Sequence, residues 1–158
     1  MSETVAIFVD VQNIYYTTRQ AFARHFDYNA FWAEVTASRT VVKAIAFATQ
    51  RDDEKQKRFQ NILRAIGFEV KLKPFIRRSD GSAKGDWDVG ITLDVLEYAA
   101  QADVVVLASG DGDFDLLVQK VRDKYRASVE VYGVAQLSAA SLKRAASRFV
   151  CIEEHLLL

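Results

Sequence analysis

The chain has 158 residues, of which 50% are apolar and 27% are charged. This is the composition of an ordinary globular protein, and the length predicts one domain over residues 1–158. The Lys and Arg residues number 21, as do the Asp and Glu residues, so no bulk charge indicates a nucleic-acid or membrane partner, and any such preference must come from local patches.

Segments rich in β-branched and apolar residues alternate along the chain with segments of helical period. The expected strands cover residues 5–9, 41–48, 68–72, 104–107, 128–132 and 148–151. The expected helices cover residues 13–26, 28–38, 52–66, 86–100 and 113–125. This alternation predicts an α/β domain with a parallel sheet. The continuous apolar runs at 6–9 and 104–107 indicate central strands that are covered on both faces.

Aspartates follow two of the expected central strands. Asp10 comes directly after the first strand, Asp111 and Asp113 come after the fourth, and Asp88 lies in the first turn of the helix that leads into the fourth. Ligands of open α/β sheets bind beyond the carboxyl ends of strands, at the switch point in strand order. We therefore expect these carboxylates to converge on one spot.

Clustered carboxylates repel one another, and a divalent cation removes that conflict. The single cysteine, Cys151, excludes an internal disulfide and a cysteine-based zinc site, and the two histidines, His25 and His155, have no ligand spacing. Oxygen ligands indicate Mg²⁺, Mn²⁺ or Ca²⁺.

Structural interpretations of the same acids remain open. Asp113 and Asp86 each stand where a helix N-cap is expected, and Asp88 suits the positive end of a helix dipole. Asp94 lies in a largely apolar stretch, where an unpaired carboxylate is costly. It belongs either to the site or to an exposed stripe.

Three blocks of the sequence resemble the signature blocks of NYN domains in the PIN-like nuclease superfamily, and the similarity is to the LabA-like bacterial group. The blocks are Phe-Val-Asp-Val-Gln-Asn at 8–13, Lys-Gly-Asp-Trp-Asp-Val-Gly-Ile-Thr-Leu-Asp at 84–94, and Ser-Gly-Asp-Gly-Asp-Phe at 109–114. The resemblance implies a Rossmann-like three-layer α/β/α sandwich with a mainly parallel central sheet. It also implies metal-dependent cleavage of RNA.

Carried over by position, the resemblance assigns roles to residues of all three blocks. The implied catalytic residues are Asp10, Asn13, Asp88, Asp111 and Asp113. The implied ligands of Mg²⁺ or Mn²⁺ are Asp10, Asp88, Asp94, Asp111 and Asp113. Many PIN-like proteins carry a further acidic residue near the second helix. The candidates here, Glu34 and Asp52, match no motif.

The working hypothesis is a Mg²⁺- or Mn²⁺-dependent endoribonuclease that hydrolyses phosphodiester bonds of single-stranded or structured RNA. The longest irregular stretch of the sequence covers residues 73–85. Its basic residues Arg77, Arg78 and Lys84, together with Ser109, are the candidate substrate contacts. Basic residues close to aromatic residues suit the binding of single-stranded nucleic acid.

Two alternatives remain. One is a regulatory module of the same fold that binds RNA or nucleotide with weak or no catalysis. The other is a phosphatase or phosphotransferase with Asp10 as nucleophile, although Gln12 stands where aspartyl-phosphate phosphatases carry a second aspartate.

The chain shows no apolar run long enough to span a membrane and no basic segment followed by an apolar run at its start. We therefore expect a cytoplasmic protein without a membrane partner. The apolar end, residues 152–158, is expected to dock on the core of its own domain or on a second copy, so that a homodimer is a hypothesis.

Overall fold

A computed structural model of the chain describes residues 2–51, 53–74, 76–77, 83–84 and 87–158, with the backbone alone for 76–77 and 83–84. The strands are β1 (Glu3–Asp10), β2 (Arg39–Gln50), β3 (Glu69–Pro74), β4 (Ile76–Arg77), β5 (Ala83–Lys84), β6 (Val104–Ala108), β7 (Ser128–Gly133) and β8 (Arg148–Cys151). The helices are α1 (Val11–Phe22), α2 (Tyr28–Thr36), α3 (Glu54–Ile66), α4 (Asp88–Ala99), α5 (Asp115–Tyr125) and α6 (Ala140–Ala145).

Six strands form the central sheet, in the order β3-β2-β1-β6-β7-β8, and every neighbouring pair is parallel. The short strands β4 and β5 form a separate antiparallel hairpin. The predicted α/β fold with a parallel sheet is therefore confirmed.

Helices cover both faces of this sheet. Alternate residues of β1 point to opposite sides: Ile7 belongs to a core with α1, α2 and α3, whereas Phe8 belongs to a second core with α4, α5 and α6. Both side chains are fully buried. The three-layer sandwich implied by the resemblance is confirmed, and the apolar runs of β1 and β6 have the two-sided burial that they predicted.

Several element boundaries differ from the sequence prediction. Helix α1 begins at Val11 and ends at Phe22, because Ala23 adopts a left-handed conformation with φ of 55°. Helix α5 begins at Asp115, because a 3₁₀ turn over Gly112–Phe114 precedes it. Helix α6 and the β4–β5 hairpin were not predicted, since both are too short to show a period. No helix within the described ranges combines the length and apolar character that crossing a bilayer requires.

The C-terminal segment docks on the domain itself. Leu156 and Leu157 are buried in the core beside α1 and α2, and the Asp27 N–H donates to the Leu156 carbonyl at 2.8 Å. Leu157 also forms an isolated antiparallel bridge with Phe26. Of the two expected destinations for this segment, its own core is the one observed. The homodimer stays a hypothesis.

Candidate metal centre

The switch point of the sheet lies between β1 and β6. Strands β2 and β3 extend from one side of β1, and the chain then crosses to β6 on the other side. Val9 pairs with Ala108 at the carboxyl ends of these neighbours, so Asp10 and Ser109 emerge side by side. This is the position at which open α/β sheets bind ligands.

Ser109 connects the aspartates that follow the two strands. Its hydroxyl donates to Oδ2 of Asp10 at 3.1 Å and accepts from the backbone N–H of Asp111 at 3.2 Å. Asp10 and Ser109 are both buried, where an unmade hydrogen bond would be costly. Ser109 therefore fixes the orientation of the Asp10 carboxylate and the start of the Asp111 loop together.

Asn13 ties α1 to the same loop. Its side-chain carbonyl accepts from the Gly110 N–H at 2.9 Å, while its own backbone N–H donates to Oδ1 of Asp10 at 3.3 Å. Gly110 permits a close approach, because a Cβ there would lie 2.7 Å from Oγ of Ser138. Asp10, Asn13 and Ser109 thus form one hydrogen-bonded framework beneath the loop.

The loop after β6 turns sharply around Asp111. Its Oδ1 accepts from the Asp113 N–H at 2.9 Å and caps the 3₁₀ turn. The cap role considered for Asp113 is wrong, because Phe114 occupies the N-cap position of α5. The N-cap position of α4 is held by Trp87, and Asp86 lies outside the described residues.

Three predicted site residues come together at this point. Asp88, Asp111 and Asp113 each place a carboxylate oxygen within 4.8 Å of the other two. Asp88 and Asp111 are half-buried, and Asp113 is exposed. Hard oxygen donors with an open side suit Mg²⁺ or Mn²⁺, which retain several waters beside one or two protein carboxylates. The donor set therefore fits a divalent cation of this kind.

Asp94 has a different partner. Oδ2 of Asp94 lies 2.7 Å from Nζ of Lys71, and its side chain is only 14% exposed. The exposed-stripe interpretation is therefore wrong. The ion pair, formed across 23 residues of sequence, holds α4 against β3. Asp94 therefore pairs with Lys71, whereas Asp88 lies with Asp111 and Asp113.

The predicted substrate contacts are only partly within the described chain. Arg77 and Lys84 lie on the paired strands of the β4–β5 hairpin, described in backbone alone, and Arg78 lies outside the described residues. Nearby, Nζ of Lys73 sits 5.4 Å from the centroid of the Trp87 ring. Trp87 in turn donates from Nε1 to the Ala48 carbonyl at 2.9 Å, which fixes the residue just before Asp88.

Glu34, one of the two candidates for a further acidic residue, has other partners and does not join the cluster. Oε2 of Glu34 accepts from the Tyr132 hydroxyl at 2.6 Å, and its Oε1 lies 3.4 Å from Nε2 of His155. Burial, followed by the bond to Glu34, raises the pKa of Tyr132 well above its usual range. Asp52 lies outside the described residues.

Sequence reasoning missed Tyr28 beside the site. Burial raises the pKa of its phenol well above the usual range, and the negative charge of Asp10 raises it further. An aromatic residue at the start of α2 resembles any core residue in the sequence, so no local signal marked it.

The fold and these motifs agree with the known proteins to which the chain is similar. The NYN domain family matches residues 4–153. The chain belongs to the NYN domain family. The implied family membership is thus confirmed.

Two relatives cover almost the whole of this NYN chain. Low amplitude and bright protein LabA of Synechococcus elongatus is 27% identical over 161 residues, which covers 95% of this chain and 84% of LabA. The crystal structure of a protein of unknown function from Vibrio parahaemolyticus has a TM-score of 0.95 and 54% identity. The structural match covers 99% of this chain and 97% of the Vibrio chain. The similarity to LabA agrees with the group indicated by the sequence blocks.

Proposed function

We propose that this NYN domain is a ribonuclease that hydrolyses RNA phosphodiester bonds with Mg²⁺ or Mn²⁺ bound at its aspartate cluster. The observation that carries this proposal is the approach of Asp88, Asp111 and Asp113 to within 4.8 Å of one another. They lie at the switch-point edge, and Asp113 is exposed there. Family membership supports the choice of reaction.

Each residue of the site has a proposed task. Asp88, Asp111 and Asp113 hold the cation, which when bound supplies Lewis-acid chemistry that offsets the charge of the phosphate. Asp10 orients the side chain of Ser109 and the start of α1, because its two carboxylate oxygens accept from the Ser109 hydroxyl and from the Asn13 N–H. Arg77, Arg78 and Lys84 remain the proposed contacts to RNA, since a carboxylate pocket alone repels a phosphate backbone.

A second candidate is an RNA-binding regulatory module that does not cleave. One observation favours it: Glu34, a candidate for a further site acid, is instead bonded to Tyr132 and contacts His155. The test is an assay of labelled single-stranded RNA with the purified chain, with Mn²⁺ and with chelator. Cleavage that requires Mn²⁺ supports the nuclease. Retention of RNA with no cleavage at any Mn²⁺ concentration supports the regulatory module.

Ser109 offers a graded test of the site's framework. Ser109→Ala removes the donor to Asp10 and the acceptor for the Asp111 N–H. Loss of such outer hydrogen-bonding partners typically costs roughly 10–100-fold in metal affinity or activity. We expect a decrease of that size in the Mn²⁺-dependent cleavage rate, measured under single-turnover conditions.

Ser128→Ala is the control for this change, because Ser128 is exposed at the start of β7, at the opposite end of the sheet. Cleavage by Ser109→Ala at the rate of Ser128→Ala would contradict the assigned role of the Ser109 hydroxyl.

A further inference from the structure

An open groove lies beside the aspartates, on the face of the sheet covered by α1, α2 and α3. Its volume is about 560 Å³, within the roughly 300–1,000 Å³ that is usual for ligand sites. It begins at Val11 and Gln12, the two residues that follow Asp10. Tyr28, at the start of α2, lines it as well. The groove therefore starts at the residues next to Asp10, which Ser109 and Asn13 link to the loop of Asp111.

The walls of the groove carry aromatic and apolar side chains that remain open to solvent. Tyr15, Tyr16 and Ile62 are 38%, 52% and 54% exposed, and all three line the groove. Exposed aromatics that line one groove are the usual platforms on which unpaired bases stack.

Basic side chains also line the groove. Arg19, Arg51 and Lys55 line it, and an adjoining pocket of about 460 Å³ shares Arg19 and Lys55 and adds Arg24. Nη1 of Arg19 donates to the Tyr15 hydroxyl at 2.6 Å, so that a cation and an aromatic ring form one unit. Among the described residues that line the main groove, the acid is Asp27, whose Oδ1 caps α2 by accepting from the Ala30 N–H.

We propose that this groove binds a single-stranded RNA segment adjacent to the phosphate at the aspartates. Bases stack on Tyr15 and Tyr16, and backbone phosphates pair with Arg19 and Lys55. The inference rests on the proposed function, because that function places an RNA phosphate at the aspartates and so sets the direction in which the RNA strand enters the groove. Charge complementarity selects the occupant, because a polyanion matches the basic side chains of the groove and a single strand offers unpaired bases.

The test measures binding without catalysis. A short fluorescein-labelled oligouridylate is titrated in chelator at several salt concentrations, and log Kd is plotted against log salt. Lys55→Ala is expected to reduce the slope by roughly 0.7, the value for one lost phosphate contact on a single strand. Tyr16→Ala is expected to weaken binding and leave the slope unchanged, because stacking releases no counterion.

Lys57→Ala is the matched control, since Lys57 is an exposed lysine of the same helix that faces away from the groove. Equal slopes for Lys55→Ala and Lys57→Ala would overturn the inference, as would tighter binding of a labelled polyglutamate peptide than of the RNA. If cleavage depends on Mn²⁺ but Lys55→Ala and Lys57→Ala give equal slopes, RNA binding in the groove is refuted and the proposed hydrolysis is not. A reduced slope for Lys55→Ala with no cleavage supports the groove and refutes the proposed hydrolysis.

Discussion

Asp111→Asn is expected to lower the rate of Mn²⁺-dependent RNA hydrolysis by more than roughly 100-fold. Loss of a residue that only hydrogen-bonds to a metal ligand costs up to roughly 100-fold, and loss of a ligand itself should cost more. Asparagine has almost the same shape, and its carbonyl oxygen still accepts from the Asp113 N–H, which stands 2.9 Å from Oδ1 of Asp111. The loop is therefore retained, and the change removes one negative charge from the three-carboxylate group. Single-turnover cleavage at saturating RNA measures the effect on the chemical step.

Asp123→Asn is the control for that experiment. It makes the same chemical change at an exposed position of α5, the helix that follows the site. Both variants should unfold at the temperature of the parent within a few degrees. Equal cleavage rates for Asp111→Asn and the parent would show that any nuclease activity arises elsewhere.

The largest loss of stability is expected at Arg39. Its guanidinium reaches across the face of the sheet from β2 to β7, where it bonds both carboxylate oxygens of Glu130 at 3.1 and 2.8 Å. The Arg39 and Glu130 side chains are only 16% and 11% exposed. Arg39→Met leaves a buried carboxylate without its partner, and such changes typically cost about 3–5 kcal/mol. Urea unfolding should report this decrease as a lower midpoint.

Two comparisons separate the buried charge from other causes of this loss. Lys43 lies on the same strand as Arg39 and pairs with Glu69 of β3. Lys43→Met breaks this pair, which is more exposed and is worth at most about 1 kcal/mol. The double variant Arg39→Met with Glu130→Met should recover much of the loss, because it removes both charges. A double variant that is less stable than Arg39→Met would contradict this explanation.

Much of the fold followed from local patterns in the sequence. The runs at 6–9 and 104–107 indicated the two central strands, and the alternation of strands with helices indicated the parallel sheet. Strand β8 has the predicted bounds, and the other strands of the sheet extend the predicted segments by one to two residues at most of their ends. Helix α6 could not be predicted, because six residues do not establish a helical period.

The site was predictable where it depends on strand ends, and not where it depends on distant partners. The positions of Asp10 and Asp111 after central strands indicated that they would lie near each other, and Ser109 bonds to both residues. The bond from Ser109 to Asp10 spans 99 residues, and the pairing of Asp94 with Lys71 is likewise tertiary. The cap formed by Asp111 depends on a 3₁₀ turn that has no periodic signature. The metal-ligand and catalytic roles of all these residues stay predictions.

The most direct test of the aspartate cluster as a metal site is anomalous diffraction from a crystal of this chain soaked in Mn²⁺. The account predicts an anomalous peak among Asp88, Asp111 and Asp113, within about 2–2.5 Å of a carboxylate oxygen of one or two of them, the range of hard-cation ligand distances. The peak should vanish in crystals of Asp111→Asn. An ordered, saturated crystal with no peak among these three carboxylates, or with an equal peak in Asp111→Asn, would contradict the account.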